Sequence, residues 1–117
     1  MAHVVALAAL RRKRAVVFFS RADLNLLLGR VSRGVLAQQW RDYSIDNQEG
    51  YAAFGFYRRA HDAPVYTVYR FATGSNPNGD YLLIRGNNWV RQGKSLVEVL
   101  VAITPSLRAV ESQSAIR

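Results

Sequence analysis

The sequence predicts an α+β domain: a mainly antiparallel sheet of four to six strands, in the order β-α-β-β-β-β-(β)-α, with two amphipathic helices packed on it. Three observations predict it. Two segments repeat apolar residues at helical spacing behind an N-terminal capping signal. Between them the hydrophobic period shortens to two. The strand-like runs follow one another across short, turn-rich connections, which favours antiparallel neighbours. The 117 residues, half of them apolar, suffice for one domain and too few remain for a second of ordinary size.

Ala15–Phe19 (AVVFF) is a short β-rich run and reads as the first strand. Ser20 and Asp23 fit a capping box that opens a helix, and Leu24, Leu27, Leu28, Val31 and Val35 form its apolar stripe. Arg30 and Arg33 point away from that stripe. Gly29 and Gly34 each cost about 1 kcal/mol relative to Ala in a helix interior, which points to close packing or an end near Gly34. Beyond Trp40, Tyr43 and Ile45 alternate with Asp42, Ser44 and Asp46 as in a half-buried strand. Asn47–Gly50 turn into a strand over Ala52–Arg59, and Ala60–Pro64 lead to another over Val65–Phe71. Thr73–Asp80 is turn-rich, with Asn78-Gly79 a strong hairpin signal. Tyr81–Arg85 returns, Gly86-Asn87-Asn88 turns again, and Trp89–Arg91 is a short further strand. Ser95 and Glu98 cap a second helix with Leu96, Val99, Leu100 and Ile103 on one face, stopped by Pro105.

These elements place one α+β domain at 15–104, a basic N-terminal arm at 1–14 and a polar C-terminal tail at 105–117. Sixteen Lys and Arg against eight Asp and Glu give a formal net charge of +8. Arg11, Arg12, Lys13 and Arg14 carry half of it. The sign favours polyanionic partners. The apolar Ala2–Leu10 segment precedes the basic run, the reverse of a secretory signal. With no cysteine for disulfides and no apolar run of the ~18–20 residues that cross a bilayer, the expectation is a cytoplasmic protein without a transmembrane segment.

Within this frame the chain resembles the bacterial domain-of-unknown-function family 2794. The matching pieces are FSRADLNLLLGRV (Phe19–Val31), WRDYSID (Trp40–Asp46), FGFYRRA (Phe54–Ala60), PVYTV (Pro64–Val68) and GKSLVEVL (Gly93–Leu100). WRDY followed by the aromatic-Arg strand is the specific part, and the last helix is generic. The resemblance implies a small cytosolic bacterial protein, found mostly in alphaproteobacteria, and brings no activity with it. That family tends to be basic at the Thr73–Asp80 hairpin; this chain is not, which argues against phosphate binding there.

The residues offer little for catalysis. Asp23 and Glu98 are accounted for as caps. Asp42 and Asp46 on one strand face are about 13 Å apart at ~3.3 Å per residue, beyond the roughly 5–9.5 Å of two-carboxylate glycosidase chemistry. His3 and His61 are the two imidazoles; His61 beside Asp62 reads as a solvated loop pair. No phosphate-binding glycine loop, dinucleotide fingerprint or HExxH occurs. The expectation is a non-enzyme with no metal and no cofactor.

Binding has more to stand on. A register that sets Tyr57 opposite Thr67 and Tyr69 opposite Arg85 gathers Phe54, Phe56, Val68, Leu82 and Ile84 on a core face. It leaves Tyr57, Arg59, Thr67, Tyr69, Tyr81 and Arg85 on the other, with no acid among them. Rings that stack on bases beside guanidinium groups that neutralise phosphates make a single-stranded nucleic-acid platform. The reading is an RNA- or single-stranded-DNA-binding module using Tyr57, Arg59, Tyr69, Tyr81 and Arg85 with the basic arm Arg11, Arg12, Lys13 and Arg14. Tyr and Arg also suit a protein interface, so a protein partner or homodimer is the alternative. Trp40 and Trp89 are expected in or beside the core. Arg58 is expected on the core face, in a structural ion pair with Asp42 or Asp46. An SH2-like phosphate pocket read by Arg58 is the other use of that arginine, and the extra strand after the first helix argues against that topology.

Overall fold

The computed structural model describes residues 15–103; the basic arm and the polar tail lie outside them. Helix α1 spans Arg21–Leu36. Five strands follow: β1 (Asp42–Gln48), β2 (Tyr51–Tyr57), β3 (Tyr66–Phe71), β4 (Tyr81–Arg85) and β5 (Asn88–Gly93). Helix α2 (Leu96–Leu100) closes the order. The strands form one sheet in the order β1-β2-β3-β4-β5, each antiparallel to its neighbour. The domain is α+β, with the helices and the sheet in the expected sequence.

The expected first strand is reduced to one bridge, Val16 to Glu49. Ala15–Phe19 makes its backbone bonds to the sheet at the β1–β2 turn, where Val17 N donates to Gln48 O and Gly50 N to Ala15 O. The turn is short and leaves no further length to pair with.

Both ends of α1 follow local rules. Ser20 Oγ accepts from Asp23 N at 3.0 Å and Asp23 Oδ2 accepts from Ser20 N at 3.2 Å, the reciprocal capping box. At the other end Gln38 N donates to Val35 O and Gln39 N to Gly34 O, a Schellman ending. The position that normally takes glycine holds Gln38, at φ 60°. The helix therefore runs past Gly34, because that glycine is a packing device. A Cβ on Gly34 would overlap the Trp40 indole, whereas one on Gly29 meets nothing within 4 Å. Trp40 is 2% exposed, lies 4.8 Å from the Phe56 ring and donates from Nε1 to Val31 O.

Phe54, Phe56, Tyr66, Val68, Leu83, Leu27, Leu96 and Val99 belong to one core cluster. The sheet residues among them share one face by register, so both helices cover the same side. The predicted α1 stripe is rotated: Leu28 and Val35 are exposed, while Leu27 is buried and Leu24 and Val31 pack against the core. Arg30, expected to face outward, reaches across to α2. Its Nη2 donates to Leu100 O at 2.7 Å and Ile103 O at 3.3 Å, adding a donor to carbonyls at the end of α2 and in the turn after it. Burial first, and the nearby Arg33 charge second, hold its pKa below the ordinary arginine value. Helix α2 is shorter than its stripe predicts. It ends at Leu100 and tightens into a turn that buries Ile103.

The polar centre of this layer is Asp23, 7% exposed. Beyond capping α1, its carboxylate accepts from Arg70 Nη1 at 2.8 Å and from the Tyr81 hydroxyl at 3.0 Å. Arg70 and Tyr81 are cross-strand partners on β3 and β4. Arg70 Nη1 also donates to Phe18 O. Asp23–Arg70 is the one ion pair among the described residues. Burial, and then the bond to Asp23, push the Tyr81 pKa up to about 12.

Two tests follow from these contacts. Gly29→Ala is expected to raise stability by about 1 kcal/mol, and Gly34→Ala to lower it by roughly 1–3 kcal/mol through overpacking against Trp40; urea midpoints of the two variants should move in opposite directions. For Tyr81 the native proton is held up to about pH 12, while the unfolded phenol loses its proton near pH 10. The unfolded chain then binds fewer protons, so this contribution is complete below pH 10 and is lost between about pH 10 and 12. Urea unfolding across that range should show a decline in stability that is shallower in Tyr81→Phe.

Candidate nucleic-acid interface

Strand pairing decides which side chains share the uncovered face. Between β2 and β3, Thr67 lies opposite Gly55, two residues from the expected Tyr57. An even displacement keeps every side chain on its face, and Tyr57, Thr67 and Tyr69 are together on the outer side as predicted. Between β3 and β4, Tyr69 lies opposite Leu82, three residues from the expected Arg85. An odd displacement inverts the face of β4. Leu82 and Ile84 point outward, and Tyr81, Leu83 and Arg85 lie on the helix side.

The expected platform is therefore divided. Tyr81 is spent on Asp23 beneath the start of α1, and the Arg85 guanidinium sits 5.8 Å from the Tyr66 ring centre, facing the core layer. The cause is the β3–β4 loop. Phe71 N donates to Asp80 O, so the hairpin closes on the eight residues 72–79, and its midpoint lies well before Asn78-Gly79. Gly79, at φ 121°, is instead the point of close approach to β5: a Cβ there would overlap the Gly93 backbone.

The outer face that results is richer in rings than expected. By register it carries Tyr51, Tyr57, Thr67, Tyr69 and Phe71 from β2 and β3, Leu82 and Ile84 from β4, and Trp89 from β5. No helix covers it among the described residues. Tyr69 stacks with Phe71 at 6.3 Å and meets Tyr51 edge-on at 5.7 Å. Tyr57 lies back over Gly55 and shares a 2.9 Å hydrogen bond with Ser44 Oγ. Leu82 is 3% exposed beneath its neighbours, whereas Trp89 is 70% exposed. Trp89, expected near the core, is turned outward opposite Ile84 beside the irregularity between Leu83 and Ile84. Acids are present too: Asp42 and Asp46 alternate on the outer side of edge strand β1.

The expected ion pair of Arg58 with Asp42 or Asp46 is absent. Arg58 is exposed past the end of β2, and its Nε donates to Gln39 O at 3.4 Å. Asp42 accepts from Tyr43 N and Asp46 from Gln48 Nε2. Strand β1 begins at Asp42, and its acids share the outer face with Tyr57, while Arg58, one residue on, is carried toward the end of α1 instead. There Arg41, Arg58 and Arg59 line a cleft of about 620 Å³ with Val35, Gln38, Gln39 and Trp40. No signal in the sequence joins Arg41 to Arg58, which are brought together by the Arg41 N to Tyr57 O bond at the start of the β1–β2 pairing. Arg11, Arg12, Lys13 and Arg14 lie outside the described residues, and so does His3. His61 and Asp62 are both exposed. Among the described residues no group of three or more His, Asp or Glu is placed to hold a metal ion, and no helix is long and apolar enough to cross a membrane.

No curated protein and no solved structure matches the chain. A family model, described as a protein of unknown function (DUF2794), matches residues 17–100. That match takes in both helices and all five strands, and the chain belongs to this family.

Proposed function

We propose that the domain is a non-enzymatic binding module that contacts RNA or single-stranded DNA through its uncovered sheet face. The observation that carries the reading is the set of rings on that face, with Trp89 70% exposed and Tyr69 packed against both Tyr51 and Phe71. Bases stack on such rings irrespective of sequence. The net charge of +8 attracts the phosphates, and the arginines past the end of β2 supply cations that Arg85 does not. The strand would run over β3 to β5, away from Asp42 and Asp46 on the β1 edge.

A second reading has its own support. The inversion of β4 puts Ile84 on this face, with Leu82 enclosed beneath its neighbours, in place of Tyr81 and Arg85, making it more apolar, as suits a protein partner or a second copy. Titration of fluorescent single-stranded RNA at two salt concentrations tests between them. The nucleic-acid reading expects affinity to fall steeply with salt, with a log–log slope of about −0.7 per phosphate contacted. Trp89→Ala should weaken binding by roughly 1–3 kcal/mol, and its exposure leaves the core intact. Salt-independent or absent binding, together with a dimer by light scattering that Trp89→Ala dissociates, would overturn it in favour of the second reading.

A further inference from the structure

We propose that the cleft between the end of α1 and the Arg58–Arg59 segment binds a phosphomonoester, the terminal phosphate of a nucleotide or of a polynucleotide strand. The site itself stands on its own geometry; the choice of a nucleotide as the bearer of the phosphate rests on the nucleic-acid reading above.

Three guanidinium groups, Arg41, Arg58 and Arg59, line one cleft, and no carboxylate oxygen lies within 4.0 Å of any of them among the described residues, where the single ion pair is Arg70–Asp23. Three like charges lining one cleft without a counter-charge give it a positive potential that draws an anion in. Arg58 is already oriented, since its Nε donates to Gln39 O and the rest of its fork is left for a ligand. Gln39 Nε2, in the same wall, is enclosed with no hydrogen-bond partner. The charged lining is thus all donor. Planar forks of this kind grip phosphate oxygens two at a time, and several of them favour a dianionic terminal phosphate over the single charge of a backbone diester. The volume, about 620 Å³, falls in the range of small-ligand sites, roughly 300–1,000 Å³, and the exposed Val35 gives it an apolar patch for the attached nucleoside.

The experiment compares 5′-phosphorylated and 5′-hydroxyl forms of one RNA oligonucleotide by anisotropy. In parallel, Trp40 fluorescence is followed in Trp89→Phe, which leaves one tryptophan, during titration with adenosine monophosphate and with inorganic phosphate. The 5′-phosphorylated strand should bind about tenfold tighter. Arg41→Gln and Arg59→Gln should abolish that preference; neither side chain makes a hydrogen bond among the described residues, so the fold is left alone. Arg21→Gln, which removes the same charge elsewhere, should retain it. Tighter binding of the monophosphate than of inorganic phosphate assigns a nucleotide, and equal binding assigns phosphate alone. Equal binding of the two RNA forms with no Trp40 response overturns the site while the sheet-face reading stands. A Trp40 response without RNA binding supports the site and removes the sheet-face reading. Loss of the preference in Arg21→Gln equal to that in Arg59→Gln would reduce the site to general charge and overturn it.

Discussion

One buried carboxylate organises the molecule. Asp23 closes the first turn of α1 and at the same time receives Arg70 and Tyr81 from the two strands beneath. A carboxylate 7% exposed is costly unless its oxygens are filled, and here three donors fill them. Because Arg70 and Tyr81 are paired across β3 and β4, the same contact ties the helix to the sheet and holds β4 in one register. That register sends Tyr81 inward and Leu82 and Ile84 outward, and so determines what the uncovered face presents.

Local chemistry was readable from the chain where neighbours in sequence are neighbours in space. The Ser20 and Asp23 box, the Ser95 cap, the Gly86-Asn87 turn and the alternation along β2 are of this kind. Longer-range parity was not. The nine-residue connection between Phe71 and Tyr81 carries a strong Asn-Gly signal away from its midpoint, and a displacement of three residues inverts a strand face. Asp23 explained itself as a cap, so nothing local pointed to Arg70, 47 residues on. Gln38 hid the end of α1, because a left-handed C-terminal position ordinarily advertises itself as glycine. The rotation of the α1 stripe has a similar cause. The chain offers leucines on several sides, and the Gly34–Trp40 contact selects which of them faces the sheet.

The candidate binding features are consequently distributed rather than gathered on one flank. Rings occupy the face that neither helix covers, while unpaired guanidinium groups collect where α1 ends and β2 runs out. This separation of apolar stacking surface from cationic cleft gives a strand two dissimilar footholds, one tolerant of any base and one demanding a charge. Membership of the DUF2794 family attaches no chemistry to either, so each stands on its own geometry.

The tie between helix and sheet is measured most directly by a double-mutant cycle on Asp23 and Arg70, using urea unfolding of Asp23→Ala, Arg70→Ala and the double variant. Contact through a largely buried carboxylate predicts a coupling energy of about 1–3 kcal/mol. Losses that add to within about 0.3–0.5 kcal/mol would mean that the two side chains stabilise the fold independently, and would contradict the account of how β4 is held in register.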